Sequence, residues 1–558
     1  MEKENLLKRN LLALSSRHRE LCSRLQGADG STGHYTFLES RSGELIPAHK
    51  DKEGINRPLH SMIDPGKEAK RLIDAVEDYG FLILLGLGGG FYAEAALENE
   101  NLCTVLVIEY GLGSLKDLLF HRDYGRLFED PRFLLLVDPG EEELKRFLLD
   151  HYQPLLHGGI RVIPLHSRTN PGAMDELGKN PFSMAAGAIQ AAIDSVSGDY
   201  SVQAHFGMRW FSNIIRNLEP AFNCAYSLPN IHRAAITAAG PSLSWQINSL
   251  REKRKERFII ATDTSLPCLL AEGLIPDAVI SMDCQHISYY HFMDGIPEGV
   301  LLFLDLASPP LLHTRSGSCI FYTGGHPLGR YISSFSRPLL ELDTSGGNVT
   351  YAALSLAEQL GAREIEVYGA DFSYPQGLSY ARGAYIHTLF AKAQNRLSTL
   401  EAQSSAFLFR TPFEKKTRPD NSECWYYETK TLAFYRQRLE EKSRFMAAEV
   451  IPVAGGGAPI SIPYRLNPQW GTIPFTPVKA KVGLGEFLES YKKEIRKLPE
   501  PGKRAADYPG ILEQKGEALR VFTTMLPLAA AIKWRNPEMG FRELVEETKA
   551  RCLKEIEV

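Results

Sequence analysis

Two stretches of this chain run an apolar strand directly into glycine and then into a helix. The first is FLILLGLGGG, Phe81 to Gly90, followed by the helical AEAALE and a second apolar strand, CTVLVIEYG. The second, RAAITAAGPSLSWQINSLREK, starts at Arg233 and is followed by FIIATDTSLPCLLAEGL and AVISMD. Unbroken apolar strands belong to parallel sheets covered on both faces, and their alternation with helices makes a doubly wound α/β architecture. At 558 residues the chain exceeds what one core can serve. We place an N-terminal domain with a Rossmann-like unit at 1–195, a central domain at 196–465 and a mostly helical C-terminal domain at 466–558.

The flanks are read from periodicity. Leu6, Leu7, Leu11, Leu14 and Leu21 predict one amphipathic opening helix, broken by GADGSTG, and HYTFLESRSGELIPA predicts a β segment turning at Ser42-Gly43. A long helix is expected from Ala185 to Phe222. After Phe390, TLAFYRQRLEEKSRFMAAEV reads as a charged helix, VAGGGAPISIPYRLNP as a Gly/Pro-rich passage and the tail as helical. LLFLDLA, CIFYTG and IEVYGADF are further strands.

A net charge of −4 provides no basic field for nucleic acid, and the run REKRKER sits where a surface helix ends, as a solvated face would. Eight cysteines without a CxxC pair argue against a zinc site and for reduced thiols. MEKENLLKRN is charged throughout, unlike a signal peptide, and no apolar run nears the ~20 residues of a membrane span. A cytoplasmic location is expected, with no nucleic-acid partner and no membrane span.

Three places can hold a ligand. At the first glycine turn, Gly86, Gly88 and Gly90 precede a helix, and Glu109 ends the next strand, where a carboxylate would receive ribose hydroxyls. No methyltransferase motif follows, so the turn is read first as helix–strand packing and second as a vestigial site. At the second turn, Gly240 admits a ligand to the backbone, Pro241 suits a first helical turn, and Ser242 offers a hydroxyl beside free N–H groups. Asp263 and Asp283 follow at two strand ends, where open α/β sheets bind ligands. The third place is LDTSGGNVTYAALSLAEQLGAREIEVYGADFSYPQG. There Thr344-Ser345-Gly346-Gly347 precede a helix with its apolar face at Val349, Ala352, Ala353, Leu356, Ala357 and Leu360, stopped at Gly361. Asp371 stands just past the next strand, and Tyr374 and Tyr380 follow on a loop.

AGPSL, ATDTSLP, SMD, SGGNV and GADFSYPQG, in that order, resemble the motility-associated factors (Maf), bacterial glycosyltransferases that attach nonulosonic acids to flagellin. The central region, of the kind also called DUF115 or MptE-like, is similar to metal-independent bacterial sialyltransferases with a GT-A-like fold. Thr344-Ser345-Gly346, Gly369-Ala370-Asp371-Phe372 and Ser379-Tyr380-Ala381 carry that likeness. The resemblance implies an N-terminal Rossmann-like domain, a central GT-A-like/Rossmann-type glycosyltransferase domain and a helical C-terminal region. It also implies a CMP-activated sugar as donor, flagellin as acceptor, and no metal or further cofactor. Carried over, Gly240, Pro241, Ser242, Leu243, Asp263 and Ser265 would hold the nucleotide, and Ser345, Gly346 and Gly347 the phosphate and sugar side. Tyr374 and Tyr380 would donate to the departing phosphate.

Two positions depart from that pattern. Ala239 stands where those sialyltransferases place Asn, and no histidine occurs from Thr388 to Val558, where they place the catalytic one. His387, seven residues past Tyr380, is the first candidate for the base, with Asp283 or Asp371 as alternatives if burial raises its pKa. Two other readings stay open: a non-catalytic flagellin-binding or chaperone-like protein, and an ATP-dependent pterin pyrophosphokinase-like enzyme using Asp263 and Asp283 to hold Mg²⁺.

Overall fold

The structure, a computed structural model, describes residues 2–27, 35–50, 53–75, 79–165, 181–224, 227–421, 423–462, 475–476 and 480–557. Most of the GADGSTG break and the end of the Gly/Pro-rich passage lie outside these residues. The chain forms two compact units: Met1–His205 with Pro499–Leu519 and Ala529–Glu547, and Phe206–Leu498 with Arg520–Leu528 and Thr548–Val558.

In the first unit, β1 (Thr36–Glu39), β2 (Leu45–Lys50) and β3 (Asn56–Pro58) form an antiparallel sheet, turning between β1 and β2 at Gly43, whose φ is 85°. β4 (Tyr79–Leu85), β5 (Thr104–Glu109), β6 (Phe133–Val137) and β7 (Gly159–Pro164) form a parallel sheet in the order β6-β5-β4-β7. Alternate residues of β4 and β5 feed separate cores, as the period of two requires: Leu82, Leu84, Val105 and Val107 on one face, Phe81, Ile83, Leu85, Leu106 and Ile108 on the other. The expected opening helix is two, Glu2–Ser15 and Arg19–Gly27, with a turn between them.

The second unit is built on a parallel sheet of eight strands among the described residues: β8 (Arg233–Thr237), β9 (Phe258–Thr262), β10 (Ala278–Ser281), β11 (Leu301–Asp305), β12 (Cys319–Thr323), β13 (Leu340–Glu341), β14 (Glu364–Tyr368) and, numbered last, β18 (Glu449–Pro452). Their order is β13-β12-β11-β10-β9-β8-β14-β18. Between β14 and β18 the chain adds a small antiparallel sheet, β15 (Tyr374–Pro375), β16 (Glu414–Thr417) and β17 (Trp425–Glu428), ordered β15-β17-β16. Neither β18 nor this small sheet was expected: the charged helix ends at Phe445, and its last residues instead enter the main sheet beside β14. The helix Val349–Gln359 buries Ala352, Ala353, Leu356 and Ala357 against that sheet, and Gly361, at φ 94°, follows its end as expected. The long helix spans Pro181–Asn223, and the tail is helical at Leu484–Lys497, Tyr508–Glu513, Ala518–Arg535 and Phe541–Glu557. Among the described residues no helix is long and apolar enough to cross a membrane.

Candidate active site at the carboxyl edge of the central sheet

From β8 the chain winds outward through β9 to β13, then returns to β14 on the other side of β8. The loops leaving β8 and β14 therefore diverge, and the crevice between them is where open α/β sheets take ligands. Here the two loops are clasped together. Gly240 N donates to Gly369 O at 2.9 Å, and a Cβ on Gly240 would stand 2.4 Å from both that oxygen and Asp371 Oδ2. Ser242 donates its N–H to Asp371 Oδ2 at 2.8 Å and its hydroxyl to Oδ1 at 2.5 Å, and Gly457 N donates to the same Oδ1 at 3.0 Å. The Ser242 hydroxyl accepts in turn from Gly456 N at 2.7 Å. Gln246, one turn into the helix Leu243–Glu252, accepts from Gly369 N and donates to Val453 O and Ala454 O. Burial raises the Asp371 pKa, the hydrogen bonds from Ser242 and Gly457 pull it down, and burial prevails.

This clasp changes what two of the expected residues can do. Both oxygens of Asp371 are engaged by donors, so it holds the loops together and is poorly placed to take a proton from an acceptor. Ser242, expected at the nucleotide, spends its hydroxyl inside the clasp. Leu243 is fully buried, and Pro241 opens the turn that leads into its helix. Gly455, Gly456 and Gly457 were missed as site residues: their signal is three glycines straight after the apolar VIPVA, read only as the start of a Gly/Pro-rich passage.

Farther along the same edge stands a row of strand-end groups. Asp263 accepts from Thr264 N at 2.7 Å, from Thr264 Oγ1 at 3.1 Å and from Ser281 Oγ at 2.7 Å. The Ser265 hydroxyl donates to Thr237 O or Thr262 O, tying β8 to β9, which makes it a framework residue. Asp283 is half-buried and holds Gln285 N at 2.9 Å; burial, reinforced by the charge of Asp263, raises its pKa. Asp305, unnoticed in LLFLDLA, ends β11, accepts from Ala307 N at 2.7 Å and is pushed up to about 7 by burial.

Tyrosines gather over this row. Tyr380 and Tyr385 have ring centroids 6.4 Å apart. Burial raises both phenols, and nearby charge adds to it: Asp263 acts on both, and Asp283 on Tyr385. Burial likewise raises Tyr374, against the opposing charge of Arg410, and Tyr435, with Asp283 adding to the rise. His291, also missed, is 8% exposed, meets the Tyr385 ring edge-on at 4.5 Å and leaves Nδ1 without a hydrogen bond. His387 lies half-buried on the helix Tyr385–Ala393, and its imidazole bonds to no described residue.

The SGG segment is shaped by its own neighbours. Asn348 caps the helix by accepting from Tyr351 N at 3.0 Å. Ser345 N and the Tyr351 hydroxyl donate to Asp343, which also pairs with Lys442 at 2.8 Å. Burial would raise the Asp343 carboxyl, but the bonds from Lys442 and Ser345 outweigh it and hold it well below the usual range. A Cβ on Gly346 would strike the Tyr351 ring at 2.2 Å, and one on Gly347, at φ 73°, would meet Tyr435 at 3.1 Å. Gly347 thus connects the SGG turn, through Tyr435, to the surroundings of Asp283.

The N-terminal glycine turn is filled by the protein itself. Gly86, Gly88 and Gly90 all have positive φ. Glu109 accepts from Leu87 N at 2.8 Å and Tyr110 N at 3.1 Å, bonds a ribose would otherwise compete for. His60 Nε2 accepts from Gly89 N at 2.9 Å, and the Tyr124 hydroxyl donates to Gly88 O at 2.9 Å. A Cβ on Gly88 would stand 2.4 Å from Leu165 and 2.7 Å from His60. Packing is what these glycines serve.

Residues 209–377, which hold every central motif up to the end of GADFSYPQG, match the family model for 6-hydroxymethylpterin diphosphokinase MptE-like proteins. A solved structure, titled MAf glycosyltransferase from Magnetospirillum magneticum AMB-1, matches with a TM-score of 0.63 and 14% identity, over 100% of this chain and 95% of that one. The chain carries an MptE-like domain within a Maf-type fold. The resemblance seen in the motifs is borne out, and with it the α/β class with a helical C-terminal region. Two uncharacterized proteins of Treponema pallidum (strain Nichols) are 37% identical over 181 residues, 31% of this chain, and 43% identical over 141 residues, 25% of this chain. These stretches take in 62% and 64% of those relatives' own length. The Maf-type fold thus rests on the structural match, and the MptE-like domain on the family model.

Proposed function

We propose that the central unit is a glycosyltransferase moving a nonulosonic acid from a CMP-activated donor to a Ser or Thr hydroxyl of flagellin in the cytoplasm. The observation carrying this reading is the convergence, at the carboxyl edge beside the switch-point crevice, of raised phenols (Tyr380 and Tyr385) with the strand-end carboxylates Asp263 and Asp283. The acceptor oxygen attacks the anomeric carbon, the bond from that carbon to the phosphate oxygen breaks, and CMP departs with the electron pair. A phenol whose pKa is raised stays protonated and can donate to the phosphate oxygen as its charge builds. The acceptor proton passes to a base, for which we assign His291 ahead of His387: its Nδ1 makes no hydrogen bond, its ring meets Tyr385 edge-on, and its charge acts on Asp283.

The family description favours a second reading, diphosphate transfer from ATP, which calls for Mg²⁺ on paired carboxylates. The residues fit this poorly. Asp263 already accepts three hydrogen bonds from its own loop and β10, leaving Asp283 without an equal partner.

Ligand-induced thermal stabilisation tests these readings against each other. CMP at about 100 times its dissociation constant adds about 2.7 kcal/mol. Tyr380→Phe and His291→Ala retain that shift while CMP release from the sugar nucleotide, with flagellin present, falls about 100-fold. Stabilisation by ATP with Mg²⁺ and not by CMP moves the assignment to the kinase. Silence from every nucleotide leaves the non-catalytic partner protein.

A further inference from the structure

Beyond β14 the chain makes a long excursion before it returns as β18, and several arginines of that excursion spend their charge within it. Arg418 pairs with Asp420, Arg436 with Glu428 and Glu440, and Arg438 with Glu441. Arg410 pairs with no carboxylate among the described residues.

Arg410 stands two residues past the helix Leu400–Leu408. Its guanidinium turns back over the Phe407 ring, 4.1 Å from the centroid. The Phe407 centroid lies 6.0 Å from those of Tyr380 and Phe390, and Tyr380 lies 6.4 Å from Tyr385. One ring therefore separates the guanidinium from the tyrosine cluster. Its charge also reaches the phenols: it acts on Tyr374, Tyr380 and Tyr385 alike, pulling against the burial that raises them. A guanidinium lying on a ring face spends none of its in-plane N–H donors there, and that planar fork fits two phosphate oxygens at once.

The carboxylates explain why a cation is needed. A phosphate brought to Tyr380 and Tyr385 meets the negative charge of Asp263, which acts on both phenols, and of Asp283, which acts on Tyr385. Neutral hydroxyls offset none of that repulsion, whereas a guanidinium does. The need grows during transfer, because the phosphate diester of the donor carries one charge and the departing monoester two.

We propose that Arg410 holds the donor's phosphate at the tyrosine cluster, its guanidinium forked onto two of the phosphate oxygens. This rests on the transferase reading and adds to it the cation that the site requires.

Calorimetry on the full chain with CMP, and with cytidine, which lacks the phosphate, tests it. Wild type binds CMP at least about tenfold more tightly than cytidine. Arg410→Ala binds the two equally, with its cytidine affinity and melting temperature unchanged. Arg410→Lys, which keeps the charge and loses the fork, restores part of the difference. Lys415→Ala removes another cation of the same excursion, one that lies over Trp425 at 4.5 Å, and leaves the preference whole. A preference for CMP that survives Arg410→Ala overturns the proposal and leaves the transferase reading standing. Equal binding of CMP and cytidine by wild type does the same, as does an equal loss in Lys415→Ala, which would make the effect one of overall charge. Wild type that binds neither CMP nor cytidine overturns the proposal together with the reading beneath it.

Discussion

The two glycine turns begin from the same local pattern, an apolar strand, glycine, then a helix, and end as different objects. At Gly86–Gly90 the space beside the backbone is taken by side chains from elsewhere in the first unit: His60, Leu165 and Tyr124. At Gly240 it is taken by the Gly369 carbonyl and the Asp371 carboxylate, with Gly455–Gly457 drawn in around that carboxylate. A glycine permits close approach without choosing what approaches. The choice is made far away in sequence, by whether the partner is a bulky side chain that fills the turn or another glycine loop that leaves the strand ends beside it open to chemistry.

If Asp371 is the pin of the second arrangement, removing it gives the largest effect. Asp371→Ala strands the Ser242 N–H, its hydroxyl and the Gly457 N–H in a buried place. At about 1–3 kcal/mol for each unpaired group, partly relieved by water, the expected loss is about 4 kcal/mol in urea unfolding, with the CMP-induced shift lost as well. Asp371→Asn retains an acceptor and recovers part of the stability. A loss under about 1 kcal/mol for the alanine variant would show that the clasp holds nothing, and the contrast between the two turns would dissolve.

How much of this was legible beforehand follows the same division. Strands, helix faces and the alternation between them were readable because burial imposes local periods, as in Val349–Leu360. Asp263, Asp283 and Asp371 were readable as strand-end residues because the architecture fixes which ends face ligands. What each carboxylate does was not readable. Asp371 and Asp263 look alike in sequence, yet the first takes donors from Ser242 and Gly457, the latter 86 residues away and on a different loop, whereas the second takes them from its neighbour Thr264 and from Ser281. β18 was hidden because EVIP follows a charged helix with no break between them, and its strand state depends on pairing with β14. Asp305 carried the same strand-end signal in LLFLDLA and was passed over, whereas His291 carried none: only the fold places it beside Tyr385.

The edges of the two sheets do share one feature, and pH reads it. Glu109 at the end of β5 and Asp305 at the end of β11 are both buried on backbone N–H groups, and burial pushes each up to about 7. A carboxyl raised in the folded state holds a proton that the unfolded chain has released. Its stabilisation is therefore complete below the unfolded pKa, near 4, and is lost as pH rises toward 7. The shifts correspond to about 3 kcal/mol for Glu109 and about 4 kcal/mol for Asp305. Unfolding free energy should fall across that window, and Glu109→Gln and Asp305→Asn should each flatten part of the fall. A slope that only Glu109→Gln flattens would make the two edges electrostatically different and set Asp305 apart as a group relieved by its surroundings.

The smallest stability effect discriminates most sharply between the turns. Gly347→Ala places a Cβ at φ 73°, 3.1 Å from the Tyr435 ring, and a left-handed residue other than glycine costs about 1 kcal/mol. Because Tyr435 lies within the influence of Asp283, the displaced ring should weaken the CMP-induced shift by more than folding suffers. Gly88→Ala does the reverse. Its Cβ collides with Leu165 and His60, costing more in folding, while the CMP shift stays whole. Measured on the same day by urea unfolding and by CMP titration, the two variants should cross. If Gly88→Ala disturbs CMP and Gly347→Ala does not, the nucleotide belongs to the first turn, and the side chains filling that turn are a gate that the ligand displaces.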